Sequence, residues 1–262
     1  MKVLLMGGGA RAQSLGDALR WQDVAAVNLN PDGPVAADWP TRVHRADAVI
    51  LPIPTGLFVW GPEGPDCAQV LAAGRGDGAV IGAWPHGAPV GCVNLLQNET
   101  FKRMNAIPTA EGAMAVVLGQ SQRVFYDSTC LLVGFGEVAQ ALCRRLLAFG
   151  AQVVVWTRRT VDLPPGVQVC PKGWPSEVLA QVDFLFNTVP SPVLGADALV
   201  HLPPHCLLCE LASAPYGFHP LQAQALGLRT MALPGLPRRF SRSTAQLTAQ
   251  CLLDMLTQRG DA

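Results

Sequence analysis

The sequence predicts an α/β protein made of two Rossmann-like domains with mostly parallel sheets and a cleft between the domains. Its 262 residues exceed the usual size of one hydrophobic core, so two domains of about 100 to 150 residues each are expected. Half of the residues are hydrophobic and only 15% are charged, which suits central strands that are covered on both faces. A strand, a glycine turn and a helix also follow one another twice, from residue 2 and again from residue 129.

The first domain is expected to open with the apolar strand Lys2–Met6, a turn at Gly7, Gly8 and Gly9, and a helix over residues 11–21. Further strands are predicted at residues 24–29 and 46–53. The Gly- and Pro-rich stretch from 54 to 91 is typical of loops, interrupted by a short apolar segment at 79–81.

The domain boundary is predicted from a polar break at residues 119–128. Residues 113–118 before it are apolar on every side, which indicates a helix buried all round, with Thr109 as its N-cap. The predicted domains are residues 1–120 and 121–242. The C-terminal helix at 243–258 is expected to pack back on the first domain.

The second domain alternates regularly between strands and helices, which predicts a parallel sheet. Its expected elements are strand Thr129–Val133, helix 137–149, and strands Gln152–Trp156, 182–187, 206–211 and 228–233.

Composition argues against several classes of partner. Lys plus Arg equals Asp plus Glu at 19 each, so the chain has no overall basic field for a nucleic acid or an anionic membrane. The apolar run at residues 3–6 is too short for a signal sequence, and no stretch reaches the roughly 18 apolar residues of a membrane helix. We therefore expect a cytoplasmic protein.

The eight cysteines include one C-x-x-C pair, Cys206 and Cys209. The pair lies in a predicted buried strand, where an offset of three sends two side chains to opposite faces of the sheet. We therefore interpret both as small apolar core residues, and we expect no metal site.

The main chemical motif opens the second domain. Gly134, Phe135, Gly136, Glu137 and Val138 follow an apolar strand directly and lead into an amphipathic helix. The first glycine permits the tight turn, and the second lets backbone amides approach a pyrophosphate. The full strand–turn–helix context favours dinucleotide binding over a purely structural turn.

The end of the next predicted strand indicates which dinucleotide binds. NAD-selective sites usually carry a carboxylate there for the ribose hydroxyls. This chain has Thr157, Arg158 and Arg159, which suit the 2′-phosphate of NADP. The alternative is that the arginines are solvated loop charges.

Polar turns end two more predicted strands of this domain. Because ligands sit at the carboxyl ends of parallel strands, we expect these turns to run along the ribose and nicotinamide, although such residues are also ordinary turn formers. The residues are Asn187, Thr188, Val189 and Pro190 in one turn and Leu211, Ala212 and Ser213 in the other.

Candidate substrate groups are less specific. Gly8 and Gly9 with Arg11 present amides and a positive charge to a substrate carboxylate, or else form a plain tight turn. Glu111 is the candidate catalytic acid or base, since burial near the expected cleft would raise its pKa toward neutrality. The alternative is that Glu111 only complements a helix dipole.

Taken together, the motifs resemble the family of dipicolinate synthase A subunits over nearly the whole chain. The resemblance is carried by Ala10-Arg11 after the opening glycines, by the Asn-Ala-Ile-Pro-Thr-Ala-Glu-Gly run at 105–112, by Gly134-Phe135-Gly136, by the turns at 187–191 and 211–213, and by Pro-Gly-Leu-Pro at 234–237.

The resemblance implies NADP-linked dehydrogenation of a dihydrodipicolinate-type ring, made from the lysine-pathway condensation product of aspartate semialdehyde and pyruvate. It implies a small dicarboxylate substrate that contacts Gly8, Gly9, Arg11, Asn105, Thr109 and Gly235. It also implies that the partner is a flavoprotein-like second subunit, the B component of the synthase, and that the protein acts during sporulation in the mother-cell cytoplasm. We further expect a homo-oligomer.

Two departures from the family pattern bear on the substrate. Ala214 stands where the family usually has an arginine before proline, and Arg238, Arg239 and Arg242 replace mostly apolar residues. If the family uses these positions to bind substrate carboxylates, then one of the three arginines has taken over the role of the missing arginine, or the substrate differs.

Two alternative functions stay open. A D-2-hydroxyacid dehydrogenase, whose fold is more distantly similar, would need an arginine just after Ser213 and a histidine paired with an acid near the last strand, and neither is present. A non-catalytic protein that binds NADP and docks a catalytic partner would fit the scarcity of acid–base residues.

Overall fold

The computed structural model describes residues 1–7, 9–29, 37–53, 55, 65–74, 78–85 and 87–260. It forms two compact units, Met1–Asn105 with Phe240–Ala262, and Ala106–Arg239. We call these the first unit and the second unit. Within the described residues, no helix combines the length and the apolar character needed to cross a bilayer.

The strands of the described residues are β1 (Lys2–Met6), β2 (Ala25–Leu29), β3 (Ala48–Ile50), β4 (Ala79–Gly82), β5 (Cys92–Asn94), β6 (Thr129–Val133), β7 (Gln152–Trp156), β8 (Gln168–Val169), β9 (Phe184–Asn187), β10 (Leu207–Glu210) and β11 (Arg229–Ala232). The α-helices are α1 (Ala10–Arg20), α2 (Trp39–His44), α3 (Cys67–Ala73), α4 (Glu99–Gln120), α5 (Glu137–Ala148), α6 (Ser176–Leu179), α7 (Ala196–Leu199), α8 (Pro220–Ala225) and α9 (Ser241–Gly260).

The first unit contains a parallel sheet with the strand order β2-β1-β3-β4-β5. This is the flavodoxin-like doubly wound order. The C-terminal helix α9 packs against α1 and buries Ala249 and Leu252 in one core cluster with Leu5, Leu15 and Leu19.

The second unit contains a six-stranded parallel sheet in the order β8-β7-β6-β9-β10-β11. Numbered from β6, this is the 3-2-1-4-5-6 order of dinucleotide-binding Rossmann domains. Both sheets are parallel and carry helices, so the predicted fold class is confirmed.

The two faces of the second sheet show why its strands are apolar throughout. Leu132 of β6 lies in the cluster that also contains α4 and α5 residues, whereas its neighbours Leu131 and Val133 lie in the cluster on the opposite face. Alternate residues thus serve two cores, as expected for strands covered on both sides.

The C-x-x-C pair follows the same alternation. Cys209 belongs to the cluster on one face and Cys206 to that on the other, and both thiols are free and buried. Burial raises the pKa of each thiol. Among the described residues, no group of three His, Cys, Asp or Glu side chains could hold a metal ion.

Helix α4 differs from the prediction. It begins at Glu99, after Asn98 accepts a hydrogen bond from the Phe101 amide at 2.8 Å, and it continues through Pro108. Thr109 is therefore an interior residue and not the N-cap. Burial of one face of this helix outweighs the hydrogen bond that an interior proline removes.

Candidate cofactor site

In the second unit, β6 lies between β7 and β9. The chain leaves β6 toward β7 through α5 and returns to the other side of β6 only at β9. A ligand crevice is expected beyond the strand ends at such a reversal of strand order. The predicted cofactor segments lie at the carboxyl ends of β6 (134–138), β7 (157–159), β9 (187–190) and β10 (211–213).

Gly134 makes the tight turn after β6. Its φ is +93°, a left-handed conformation that favours glycine, and its amide donates to the Trp156 carbonyl at 2.8 Å. A Cβ at this position would lie 2.7 Å from both Thr188 Oγ1 and Val189 Cγ2. The turn therefore holds the ends of β6, β7 and β9 close together, and it requires glycine.

The N-terminus of α5 fits a diphosphate. The helix begins at Glu137, so its first-turn amides point toward the carboxyl edge of the sheet and lack partners within the helix. Its N-cap is Gly136, which has no side chain to cap them. A Cβ at Gly136 would have no heavy atom of the described residues within 4 Å, so space is open where a phosphate would approach.

The segment after β7 is polar and exposed. The Arg159 amide donates to Thr157 Oγ1 at 3.2 Å, and both Arg158 and Arg159 are exposed. Buried Trp156, which ends β7, stacks on Trp174 with ring centroids 4.6 Å apart, so the start of this segment is anchored.

A cleft of about 640 Å³ lies between α5 and the continuation of this segment. It is lined by Phe135, Gln140, Arg144 and residues 160–164, among them Asp162. Sequence reasoning missed both charged residues, because Arg144 has the pattern of a helix surface residue and Asp162 lies beyond the strand end. The cleft thus places a guanidinium and a carboxylate beside the segment that follows β7.

The ends of β9 and β10 are joined by a buried polar network that the sequence did not predict. Asn187 is paired with Glu210 in the sheet register, and neither side chain is more than 2% exposed. Glu210 Oε1 accepts from Asn187 Nδ2 at 2.6 Å and from the Ala212 amide at 2.9 Å, and Oε2 accepts from the Gly217 amide at 2.9 Å.

Burial raises the pKa of Glu210, while hydrogen bonds from Gly217, Asn187, Ala212 and Phe218 oppose the rise. The signal available in the sequence was a single carboxylate ending an otherwise apolar strand.

Glu111 lies in the second unit on α4 with an exposed side chain. Its Oε1 accepts from Arg145 Nη2 at 2.7 Å and from Arg145 Nε at 3.0 Å. Within this unit Glu111 is thus exposed and not buried as expected, and its assignment as a catalytic group stays a prediction.

The predicted substrate residues are distributed over both units. Gly8 lies outside the described residues; Gly9 is the N-cap of α1, and half-buried Arg11 follows in its first turn. Asn105 and Thr109 lie one turn apart on α4, both half-buried. Gly235 is exposed after β11 with a φ of +67°.

Comparisons with known proteins agree with this geometry. Residues 111–214 match the family model for the NAD binding domain of D-isomer specific 2-hydroxyacid dehydrogenases. The A subunit of dipicolinate synthase from Bacillus subtilis (strain 168) is 27% identical over 171 residues, which cover 63% of this chain. Those residues span only 58% of the length of that relative.

Two solved structures show the shared fold. Dipicolinate synthase A chain from Bacillus subtilis matches 100% of this chain and 97% of its own, with a TM-score of 0.82 at 22% identity. Salmonella D-lactate dehydrogenase matches 96% of each chain, with a TM-score of 0.61 at 12% identity.

Fold and site together define a two-unit α/β protein whose second unit has the architecture of a dinucleotide-binding Rossmann domain. Within that class, the chain is a homologue of the A subunit of dipicolinate synthase. The resemblance inferred from its motifs is thereby confirmed.

Proposed function

We propose that the protein is an NADP-dependent oxidoreductase that converts a dihydrodipicolinate-type ring to dipicolinate, pyridine-2,6-dicarboxylate. The observation that carries the proposal is the N-terminus of α5, which opens at Gly136 toward the crevice between β6 and β9. Homology to the A subunit of dipicolinate synthase supports the choice of substrate.

The residues of the second unit would hold the cofactor from one end to the other. The amides that begin α5 bind the diphosphate, and Arg158 and Arg159 bind the 2′-phosphate. The turns at 187–190 and 211–213 contact the nicotinamide riboside half. The bound nicotinamide supplies the hydride acceptor, and loss of one hydride and one proton makes the dihydro ring aromatic.

The remaining tasks of the protein are to orient the dicarboxylate and to accept the proton. We propose Glu111 as the proton acceptor, and Gly8, Gly9, Arg11, Asn105, Thr109 and Gly235 as substrate contacts. The homology further leads us to propose that the partner is the flavoprotein-like B component of the synthase, that the protein is a homo-oligomer, and that it acts during sporulation in the mother-cell cytoplasm.

Cofactor preference is tested by titrating the protein with NADPH and NADH. We expect NADPH to bind more tightly, and Arg158→Ala or Arg159→Ala to weaken NADPH roughly tenfold while leaving NADH unchanged. Asp162→Asn is the matched control from the same segment, since it removes a charge of the opposite sign and is expected not to weaken NADPH. Equal affinity of the wild type for both cofactors would contradict the NADP assignment.

Turnover is tested by supplying NADP and freshly made dihydrodipicolinate and following the absorbance of the pyridine product. We expect Glu111→Gln to lose turnover and to retain NADPH binding. Arg145→Gln breaks the same ion pair and serves as the control. If both variants lose activity equally, the pair is structural and Glu111 is not the proton acceptor.

One observation favours a second candidate, a non-catalytic protein that binds NADP. The carboxylate proposed as proton acceptor is exposed and is paired with the Arg145 guanidinium, as a purely structural residue would be. Normal NADPH binding without any product in the turnover assay would support this candidate.

A further inference from the structure

The carboxylate of Glu210 joins two turns at the carboxyl edge of the second sheet. Through Oε1 it holds Asn187, whose side chain also bonds both backbone groups of Val189, donating to the carbonyl at 3.0 Å and accepting from the amide at 3.2 Å. Through Oε1 and Oε2 it accepts the amides of Ala212 and Gly217. One side chain thus determines the path of the chain after β9 and after β10.

Backbone hydrogen bonds also connect the segments after β9 and β10. The Gly217 carbonyl accepts from the amides of Val193 and Leu194, each at 2.9 Å, so the segment after β10 also holds the segment after β9. A Cβ at Gly217 would overlap the Asn187 side-chain amide. The two turns therefore pack without spare room around the carboxylate.

The donors to Glu210 are uncharged amides, since its hydrogen bonds come from Asn187, Ala212 and Gly217. Burying a carboxylate among neutral donors is costly compared with an apolar residue of similar size. What the carboxylate provides is acceptor capacity, because its two oxygens accept several hydrogen bonds at once, including one from the Phe218 amide. A glutamine would keep one acceptor oxygen and would turn an NH₂ group toward the Gly217 amide.

The position of these turns in the sheet determines which half of a dinucleotide they serve. In the 3-2-1-4-5-6 order, the strands on the β7 and β8 side of the switch point form one mononucleotide half, and those on the β9 and β10 side form the other. The diphosphate lies between them at α5. Glu210 is therefore on the nicotinamide side, away from Arg158 and Arg159.

We infer that Glu210 is a positioning residue for the nicotinamide half of the cofactor: it holds the turns at 187–190 and 211–217 in the form that binds this half, without itself contacting the ligand. The inference rests on the proposed function, because it requires a dinucleotide at this crevice. It predicts that loss of the carboxylate weakens the whole dinucleotide and spares a ligand made of the adenosine half alone.

The test compares Glu210→Gln with the wild type by calorimetric titration of NADPH and of adenosine 2′,5′-bisphosphate. We expect the variant to bind NADPH roughly tenfold more weakly and the bisphosphate within about twofold of the wild type. A merely structural role would not separate the two ligands. If both ligands weaken equally, or neither does, the inference is wrong.

Asp183→Asn is the matched control for loss of stability. Asp183 is a buried carboxylate just before β9, at the amino edge of the same sheet, where it accepts hydrogen bonds from Thr129 and His205 and forms an ion pair with Arg123. We expect this variant to bind both ligands like the wild type. If Asp183→Asn gives the same split as Glu210→Gln, the effect is general destabilisation and the inference is overturned.

Failure of the proposed function is distinguishable from failure of the inference. If the wild type binds neither ligand, the proposed function falls and the inference with it. If the wild type prefers NADH, the titrations are repeated with NADH and AMP. Glu210→Gln should then weaken NADH and spare AMP, and any other result overturns the inference. If Glu210→Gln does not fold, Gly217→Ala, whose methyl would displace the Asn187 amide, must give the same split between ligands.

Discussion

In both units, a glycine with a left-handed backbone follows the first strand of the sheet. In the first unit, Gly7 follows β1 with a φ of +116°, and a Cβ there would lie 2.6 Å from Cγ of Pro52, just beyond β3. In the second unit, Gly134 follows β6 and is packed equally closely against residues just beyond β9. Each glycine lets the first strand of its sheet end against the neighbour across the switch point.

The strands on the far side of these turns differ. β3 leads into Leu51, which is buried, and into Pro52, which has no amide to donate. β9 ends at Asn187 and leads into Thr188, whose hydroxyl donates to the Val133 carbonyl at 2.9 Å. The comparison teaches that the glycine turn lets two strand ends pack closely in both units, whereas the polar strand end at Asn187 distinguishes the candidate dinucleotide site of the second unit.

The largest effects are expected from replacing the two turn glycines. Both replacements should lower stability, but only one should also lower the affinity for NADPH. Gly7→Ala and Gly134→Ala each combine a left-handed backbone with steric overlap, so we expect each to lower the free energy of unfolding by about 2–4 kcal/mol in urea. Only Gly134→Ala should also weaken NADPH, by roughly a hundredfold or more. Equal loss of NADPH binding in both variants would contradict the assignment of the cofactor site to the second unit.

Gly136→Asp should move stability and affinity in opposite directions. With a φ of −82° and open space around it, this N-cap accepts a side chain. An aspartate would cap α5 and raise the free energy of unfolding by about 0.5 kcal/mol, while its charge would compete for the diphosphate amides. We expect NADPH to bind at least about tenfold more weakly in the same titration. Unchanged affinity would place the diphosphate elsewhere.

The amino edge of the second sheet offers a contrast with its carboxyl edge. Asp183 accepts hydrogen bonds from the Thr129 amide at 2.9 Å and from His205 Nε2 at 3.0 Å, and it forms an ion pair with Arg123 at 3.1 Å. Asp183→Asn leaves these donors partly unpaired, so we expect a loss of about 1–3 kcal/mol in urea unfolding. A loss below about 0.5 kcal/mol would mean that the amino-edge network does not stabilise the sheet.

The smallest expected effect is a pH dependence from Glu210. Because its pKa is raised in the folded state, folding favours the protonated form. Its contribution is fully present below the ordinary carboxyl pKa and is lost as pH rises through the folded pKa. Wild-type stability relative to Glu210→Gln should therefore increase as pH falls from 7 toward 4 in urea unfolding. The opposite slope would mean that the hydrogen bonds outweigh burial.

Local patterns predicted the second sheet well. The strands Thr129–Val133 and Gln152–Trp156 have the predicted bounds, since each is a short apolar run that is recognisable from neighbouring residues alone. The alternation that sends Cys206 and Cys209 to opposite cores is likewise a local property. The start of α4 was missed because an interior proline is tolerated only when other parts of the chain bury the helix.

The sequence by itself determined the apolar strands, the glycine that must follow β6 and the absence of a carboxylate directly after β7, because these depend on residues that are close along the chain. The tertiary structure alone decided that Glu210 meets Asn187 and Gly217, that Glu111 pairs with Arg145, and that Asp162 lines the cleft beside α5. Those contacts depend on strand order and on burial, through which residues 23 and 34 positions apart become neighbours.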